Sequence, residues 1–337
     1  MKALIFGLGS IGERHLYNLK KLNFNDIGIY DVDHKKALQI SKKYKTKYFL
    51  NIDDALSFDP TFSLVCTPSN SHLEIMKKCL KADSHVFVEK PISHSLEGVK
   101  QILSYAQKNN LKISVGHNLR FEKGLSFMKK KLNNLEIGRP LSIFAQWGNN
   151  IKNWNHPNFL NHYILKKGGG IILDDSHEYD YLRWILNDEV SSVYCQTQKL
   201  TSIKTQTESL ASIILKFKKG TIATLILDYV RPKYERNCHI IGEKGDLRWE
   251  FSRESSKKPY QVKSSSKVSK TNLGKLKKQT QSFHQNLNST YIAEIQNLID
   301  CIKFDKEPLS NGFDGYRTLQ IGAAALKSAK LNKIIKI

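Results

Sequence analysis

Cysteine is scarce in this chain and never paired. Cys66, Cys79, Cys195, Cys238 and Cys301 stand singly, without the close spacing of a metal site or a disulfide framework, so they read as reduced, mostly structural thiols. Long apolar runs are also missing: none approaches the roughly twenty residues that a membrane span needs. The apolar start is broken by glycines, runs into Glu13 and Arg14 and lacks a small-residue cleavage site, which argues against a signal peptide and for a cytoplasmic protein. Acidic residues are the third shortage, 31 against 53 Lys and Arg in 337 residues, for a formal net charge of +22. Such a surface suits an anionic partner, either nucleic acid or a phosphate-bearing small molecule, or simply spreads lysine over solvated faces. The one concentrated tract, Lys257 to Lys278, is rich in Ser, Lys and Gln but poor in aromatics. A nucleic-acid surface would interleave aromatics or arginines with that charge, so no nucleic-acid partner is expected.

What is present begins at the first residue. The apolar run Ala3-Leu4-Ile5-Phe6 feeds into Gly7-Leu8-Gly9-Ser10-Ile11-Gly12, and a helix-like segment follows at once. A strand, a G-x-G-x-x-G loop and a helix in that order form the dinucleotide fingerprint. The first glycine permits a tight turn, the second lets a pyrophosphate approach the backbone, and the third lets helix and strand pack closely. The helix N-terminus then offers unpaired N–H groups and a partial positive charge to the diphosphate. About twenty residues on, Ile27-Gly28-Ile29-Tyr30 ends in Asp31, a carboxylate placed to accept hydrogen bonds from the adenosine ribose. It disfavours a 2′-phosphate and so favours NAD, although His34, Lys35 and Lys36 nearby leave NADP open.

Up to about Leu119 the pattern alternates β and α, predicting a parallel sheet with helices on both faces. Ligands of such sheets bind beyond the strand C-termini, where Thr67, Pro68, Asn70, His72, Glu89, Lys90 and Asn118 fall. Past Arg120 come a helix from Leu125 to Leu132, a strand through Trp147, and a polar aromatic loop containing Trp154, His156 and Tyr163. Next come Gly168-Gly169-Gly170 and a single helix expected over Ile171 to Leu186. Strands with period-two alternation then succeed one another, the mark of an antiparallel sheet. The Lys257 to Lys278 tract is expected to be an exposed, mobile excursion from that sheet. The fold class is therefore α/β, with a nucleotide-binding domain over residues 1–119 and a second domain over 120–337. Closing helices are available to pack back on the first domain.

The GLGSIG loop, the strand end CTPSNSH, the tripeptide Glu89-Lys90-Pro91, the later GGGIILDDSHEYDYLRW and the GEKGDLRW turn resemble the Gfo/Idh/MocA family of oxidoreductases over nearly the whole chain. The resemblance implies an N-terminal Rossmann domain and a C-terminal α/β domain with an open, mostly antiparallel sheet that serves substrate and often subunit contacts, in a homodimer or homotetramer. It also implies hydride transfer at a hydroxyl-bearing carbon of a sugar or polyol, and no metal is called for. Within it, the matching Lys, here Lys90, sits beside the reacting hydroxyl, and the matching Glu, here Glu89, near the nicotinamide ribose.

A second cluster, Asp174, Asp175, His177 and Asp180, follows the glycine triplet. On one continuous helix Asp174 and His177 would share a face. The family spacing leaves His177 and Glu178 both open as the base; SHEYD, as in members tied to bacterial surface-sugar pathways, favours His177. Free imidazole titrates near ~6.5 and Lys near ~10.4, so the imidazole can take a proton at neutral pH while Lys90 stays charged. Trp154, His156 and Tyr163 could stack on a sugar or pack between domains. Asn118 and Arg120 could touch substrate, and Arg120 could equally form a structural pair. These features point to NAD-dependent oxidation or reduction of an amino sugar or nucleotide-linked sugar. The alternatives are a free polyol of the inositol type or a silent cofactor-sensing regulator.

Overall fold

The computed structural model describes residues 1–151, 169–200, 206–254, 260–274 and 278–337. Ala3–Phe6 is a fully buried strand, β1. The alternation it starts continues through α1 (Ser10–Lys21), β2 (Ile27–Tyr30), α2 (His34–Tyr44), β3 (Lys47–Tyr48), α3 (Ile52–Leu56) and β4 (Phe62–Val65). It then runs through α4 (Ser69–Lys81), β5 (His85–Val88), α5 (Val99–Lys108) and β6 (Ile113–Val115). α5 begins directly after Gly98, whose φ is +76°. All pairings are parallel, in the order β3-β2-β1-β4-β5-β6. That is the Rossmann order, with the topological switch point between β1 and β4.

The remaining elements are a 3-10 turn at Asn118–Phe121, α6 (Lys123–Asn133), β7 (Pro140–Gly148), α7 (Ile171–Asp174), α8 (His177–Leu186), β8 (Val190–Gln198), β9 (Leu210–Phe217) and β10 (Ile222–Asp228). After them come β11 (Glu235–Gly242), β12 (Gly245–Arg253), β13 (Lys263–Asn272), β14 (Lys278–Asn286), α9 (Asn288–Lys303), α10 (Gly312–Leu331) and β15 (Ile335–Lys336). Among the described residues these strands form a nine-stranded sheet, β14-β13-β12-β11-β7-β10-β9-β8-β15, antiparallel except where β7 runs parallel to β10. The chain divides into two units, Met1–Asn118 with Asn288–Leu319, and Leu119–Leu287 with Gln320–Ile337.

In the first unit α9 closes the core: Ile295, Leu298 and Ile299 pack with Leu16 and Leu19 of α1 and with the strands beneath. In the second, one face of the sheet is buried under α6 and α8, while the other keeps Phe144, Ile214 and Ile222 largely exposed. The five cysteines are all free and buried. No helix among the described residues is long and apolar enough to cross a membrane.

Two expectations are corrected. Most of the described part of the Lys257 to Lys278 tract is not an excursion: residues 263–272 are β13, paired along their length with β12 and β14. Its inward positions are Ser264, Ser266 and Val268, with Lys263 and Lys267 outward. Serine in the buried register hides the alternation, because a small hydroxyl reads as loop until a partner for it is known. Here Ser266 Oγ donates to Glu122 at 2.6 Å. The single helix over Ile171 to Leu186 is in fact two, α7 and α8, interrupted at Asp175, whose φ −99° and ψ 53° leave the helical region.

The sheet alternation sets the cost of mutation in the second unit. Leu225 is fully buried on β10, whereas Ile222 on the same strand is 45% exposed. Leu225→Ala should cost about 2–5 kcal/mol by denaturant unfolding and Ile222→Ala within about 0.5 kcal/mol of nothing.

Candidate active site

The nucleotide half of the site is built by the turn between β1 and α1. Gly7 has φ +87°, and a Cβ there would lie 2.8 Å from the backbone of Cys66 and Thr67 at the end of β4. At Gly12 a Cβ would fall 1.9 Å from the Gly7 carbonyl oxygen, so helix and turn touch through backbone alone. Gly9 differs from both. A Cβ there would meet nothing within 4 Å among the described residues, and its φ of −61° suits any residue. Packing within the chain therefore gives no reason for a glycine at this position, whereas a pyrophosphate lying against the backbone does. Gly9 also caps α1 without any side-chain hydrogen bond, leaving the helix's first N–H groups to a ligand. Ser10 lies exposed and Ile11 half-buried on that first turn.

Asp31 is half-buried at the end of β2. One of its oxygens accepts from Leu8 N–H at 2.6 Å and the other from Asp33 N–H at 2.9 Å. The carboxylate is thus locked to the glycine turn, and each oxygen keeps a second lone pair for a ribose hydroxyl. These features fit a dinucleotide, with Gly7 to Gly12 to take the diphosphate and Asp31 the adenosine ribose.

Beyond β4, Thr67 is half-buried, and Pro68 and Asn70 are exposed. His72, expected at the cofactor, is 1% exposed and instead clips two loops together: Nδ1 lies 3.0 Å from Pro91 O and Nε2 2.7 Å from Thr67 O. Burial lowers its pKa against the pull of those carbonyls. Asn118 is likewise turned inward, 4% exposed, with Nδ2 donating to Thr290 at 2.8 Å.

At the end of β5, Glu89 is 9% exposed and takes a 2.7 Å hydrogen bond from His15 Nε2. Burial alone would raise its pKa, but the bond and charge of His15 and the charge of Lys90 outweigh burial and hold it below the usual carboxylate range. Lys90 is half-exposed, and its N–H reaches Glu89 Oε2 at 3.3 Å.

The second unit carries the acid-rich stretch around His177. The break at Asp175 means that Asp174 and His177 do not share one helical face. They do share exposure: both are half-buried, while Asp175, Ser176, Glu178, Tyr179 and Asp180 are all buried. Asp174 accepts from the hydroxyl of buried Tyr229 at 2.9 Å. The cause of the break lies 61 residues away, where Arg236 on β11 binds Asp175 at 2.5 Å and Glu178 at 2.9 Å. One guanidinium between two carboxylates draws both inward. Burial pushes Glu178 well up, Arg236 opposes, and Asp175 adds to the rise. Glu178, the alternative to His177, is thus fully buried within an ion cluster.

Asp180 and Arg120 are also committed. Arg120, read from the sequence as either a substrate contact or a structural pair, is 3% exposed, with Nε and Nη2 on the Asp180 carboxylate at 2.8 and 2.6 Å. It acts here as an intradomain strut. Trp154, His156 and Tyr163 lie outside the described residues. Sequence reading missed His15, Arg236 and Glu294; the first follows the glycine loop directly, but nothing local marks the other two.

Residues 1–117 match a model described as an oxidoreductase family, NAD-binding Rossmann fold, and residues 129–337 one described as the C-terminal alpha/beta domain of the same family, GFO_IDH_MocA. The chain is 26% identical to the myo-inositol 2-dehydrogenase of Thermotoga maritima, covering 100% of this chain and 98% of that one. A crystal structure of a probable dehydrogenase from Thermotoga maritima superposes with a TM-score of 0.82 at 26% identity, covering 100% and 99% of the two chains. The WlbA dehydrogenase from Bordetella pertussis, solved with NADH and UDP-GlcNAcA, shares the fold at TM-score 0.81 and 19% identity, covering 100% of this chain and 98% of that one. With both halves matched in order and the glycine turn shaped for a diphosphate, this chain belongs to the Gfo/Idh/MocA family of NAD-binding oxidoreductases.

Proposed function

We propose that the protein transfers a hydride between NAD and a secondary hydroxyl carbon of a sugar or cyclic polyol, with His177 as the proton acceptor and Lys90 holding the reacting oxygen. The observation that carries this reading is selective exposure. Across residues 174–180 every ionisable side chain except Asp174 and His177 is buried, and among those buried Asp175, Glu178 and Asp180 are bound to arginine. His177 is therefore the group of that stretch suited to exchange a proton with a ligand, and Asp174, braced by Tyr229, is suited to support it. Lys90, half-exposed beside an anionic Glu89, is suited to stabilise a developing alkoxide. NAD supplies the acceptor for the hydride; the chain's residues bind, orient and move the proton.

For the substrate, the net charge of +22 favours an anionic, nucleotide-linked sugar. The second reading, a free cyclic polyol, is favoured by full-length similarity to a myo-inositol 2-dehydrogenase. Nicotinamide absorbance followed with nucleotide-sugars, the same sugars freed of nucleotide, and myo-inositol decides between them: activity lost with the nucleotide supports the first, and turnover of myo-inositol the second. NAD binding with no turnover across the panel would point to a sensor instead. His177→Ala should lower kcat by about 10²–10⁴-fold with NAD affinity unchanged; an unaltered kcat removes His177 from the chemistry. Gly9→Val, which meets open space in the protein, should leave the melting temperature in place yet weaken NAD binding by roughly tenfold or more in a fluorescence titration.

A further inference from the structure

We propose that His15, Glu89 and Glu294 form a buried proton-holding site beneath the Lys90 turn, in which Glu294 is kept as the neutral carboxylic acid and Glu89 as the anion. Glu294 sits on α9 three residues after Tyr291 and four before Leu298, on the stripe that packs against α1. It is 1% exposed, and among the described residues neither of its carboxyl oxygens has a hydrogen-bond partner. A ligand atom from each of His15, Glu89 and Glu294 lies within 4.8 Å of the other two. Two carboxylates so close in a buried site do not both ionise; one retains a proton.

The surroundings decide which. Glu89 receives the His15 ring N–H and the Lys90 N–H, both of which favour the anion. Glu294 receives no donor, and the groups around the pair are Arg14 and His15 from α1, Cys66 from the end of β4, His72 from α4, Glu89 and Lys90 from the end of β5, and Tyr291 from its own helix. Burial pushes Glu294 well up, the charge of Glu89 adds to that, and Arg14 offsets only part. Holding the proton on Glu294 leaves one negative charge, not two, facing the Lys90 ammonium. Glu294 is thus a positioning residue for the turn, acting through Glu89.

The test uses the full chain with NAD bound. In protein labelled with ¹³C at the glutamate carboxyl, one resonance should hold the protonated position at pH 7 and vanish in Glu294→Gln, which mimics the neutral acid. The linkage has a definite sign. The folded state keeps a proton that the unfolded chain releases above about pH 4.5, so stability is lost as pH rises through that value towards the raised folded pKa. Wild type and Glu294→Gln should match near pH 4.5. Above it, the wild-type folding constant should fall relative to the variant by up to about tenfold per pH unit, leaving the variant the more stable protein at pH 8. A variant less stable by the same factor at every pH, or a Glu294 resonance in the ionised position at pH 7, overturns the proposal. So does one equivalent of zinc bound by wild type and not by the variant, since a cation would then balance two anions. If Glu294→Gln fails to fold, Glu294→Met assigns the resonance and its titration in wild type decides.

Discussion

Between Gly12 and the carbonyl oxygen of Gly7 there is no room for even one carbon atom, and much of the nucleotide half follows from that contact. Because α1 is held backbone to backbone on the turn, its N-terminus is aimed at the crevice beyond β1, where the strand order reverses. The same turn presents Leu8 N–H to Asp31, so the group suited to the ribose is fixed by the loop suited to the phosphates. It also starts α1 at a register that brings His15 onto Glu89 at the end of β5. A larger residue at position 12 would lift the helix, and diphosphate cradle, ribose acceptor and Glu89 support would shift together.

The second unit is organised by buried ion pairs. Arg120 takes Asp180, and Arg236 takes Asp175 and Glu178. Removing one partner of such a pair leaves an uncompensated charge in the core and typically costs about 3–5 kcal/mol, so these residues hold the α7–α8 corner in place. The corner leaves Asp174 and His177 half-buried while the carboxylates around them serve structure. The acid-rich sequence DDSHEYD thus divides into carboxylates buried against arginine and two groups, Asp174 and His177, that stay half-buried. The division follows from which side chains a distant arginine can reach.

Much of the framework was legible in the chain because its determinants are local. A glycine needed for a backbone approach, a strand buried on both faces and an acidic residue at the next strand end all show in a few dozen consecutive residues. The errors have a common origin in partners far off in sequence. DDSHEYD reads as one helix until Arg236 draws Asp175 out of it, and Arg120 stays open between ligand contact and structural pair until Asp180, 60 residues on, takes it up. The serines of β13 read as loop until Glu122 supplies the acceptor for Ser266. His72 reads as a cofactor contact until the Pro91 and Thr67 carbonyls bracket its ring.

By itself, then, the sequence determined the Rossmann turn, the parallel alternation after it and the family to which the chain belongs, since backbone sterics and periodicity act over short stretches. The tertiary structure alone decided the charge state and employment of the ionisable groups. Glu294 looks like an ordinary helix residue in a list of letters. Its environment is set by burial and by charges from α1, β4 and β5, and neither burial nor field can be read before the chain has folded.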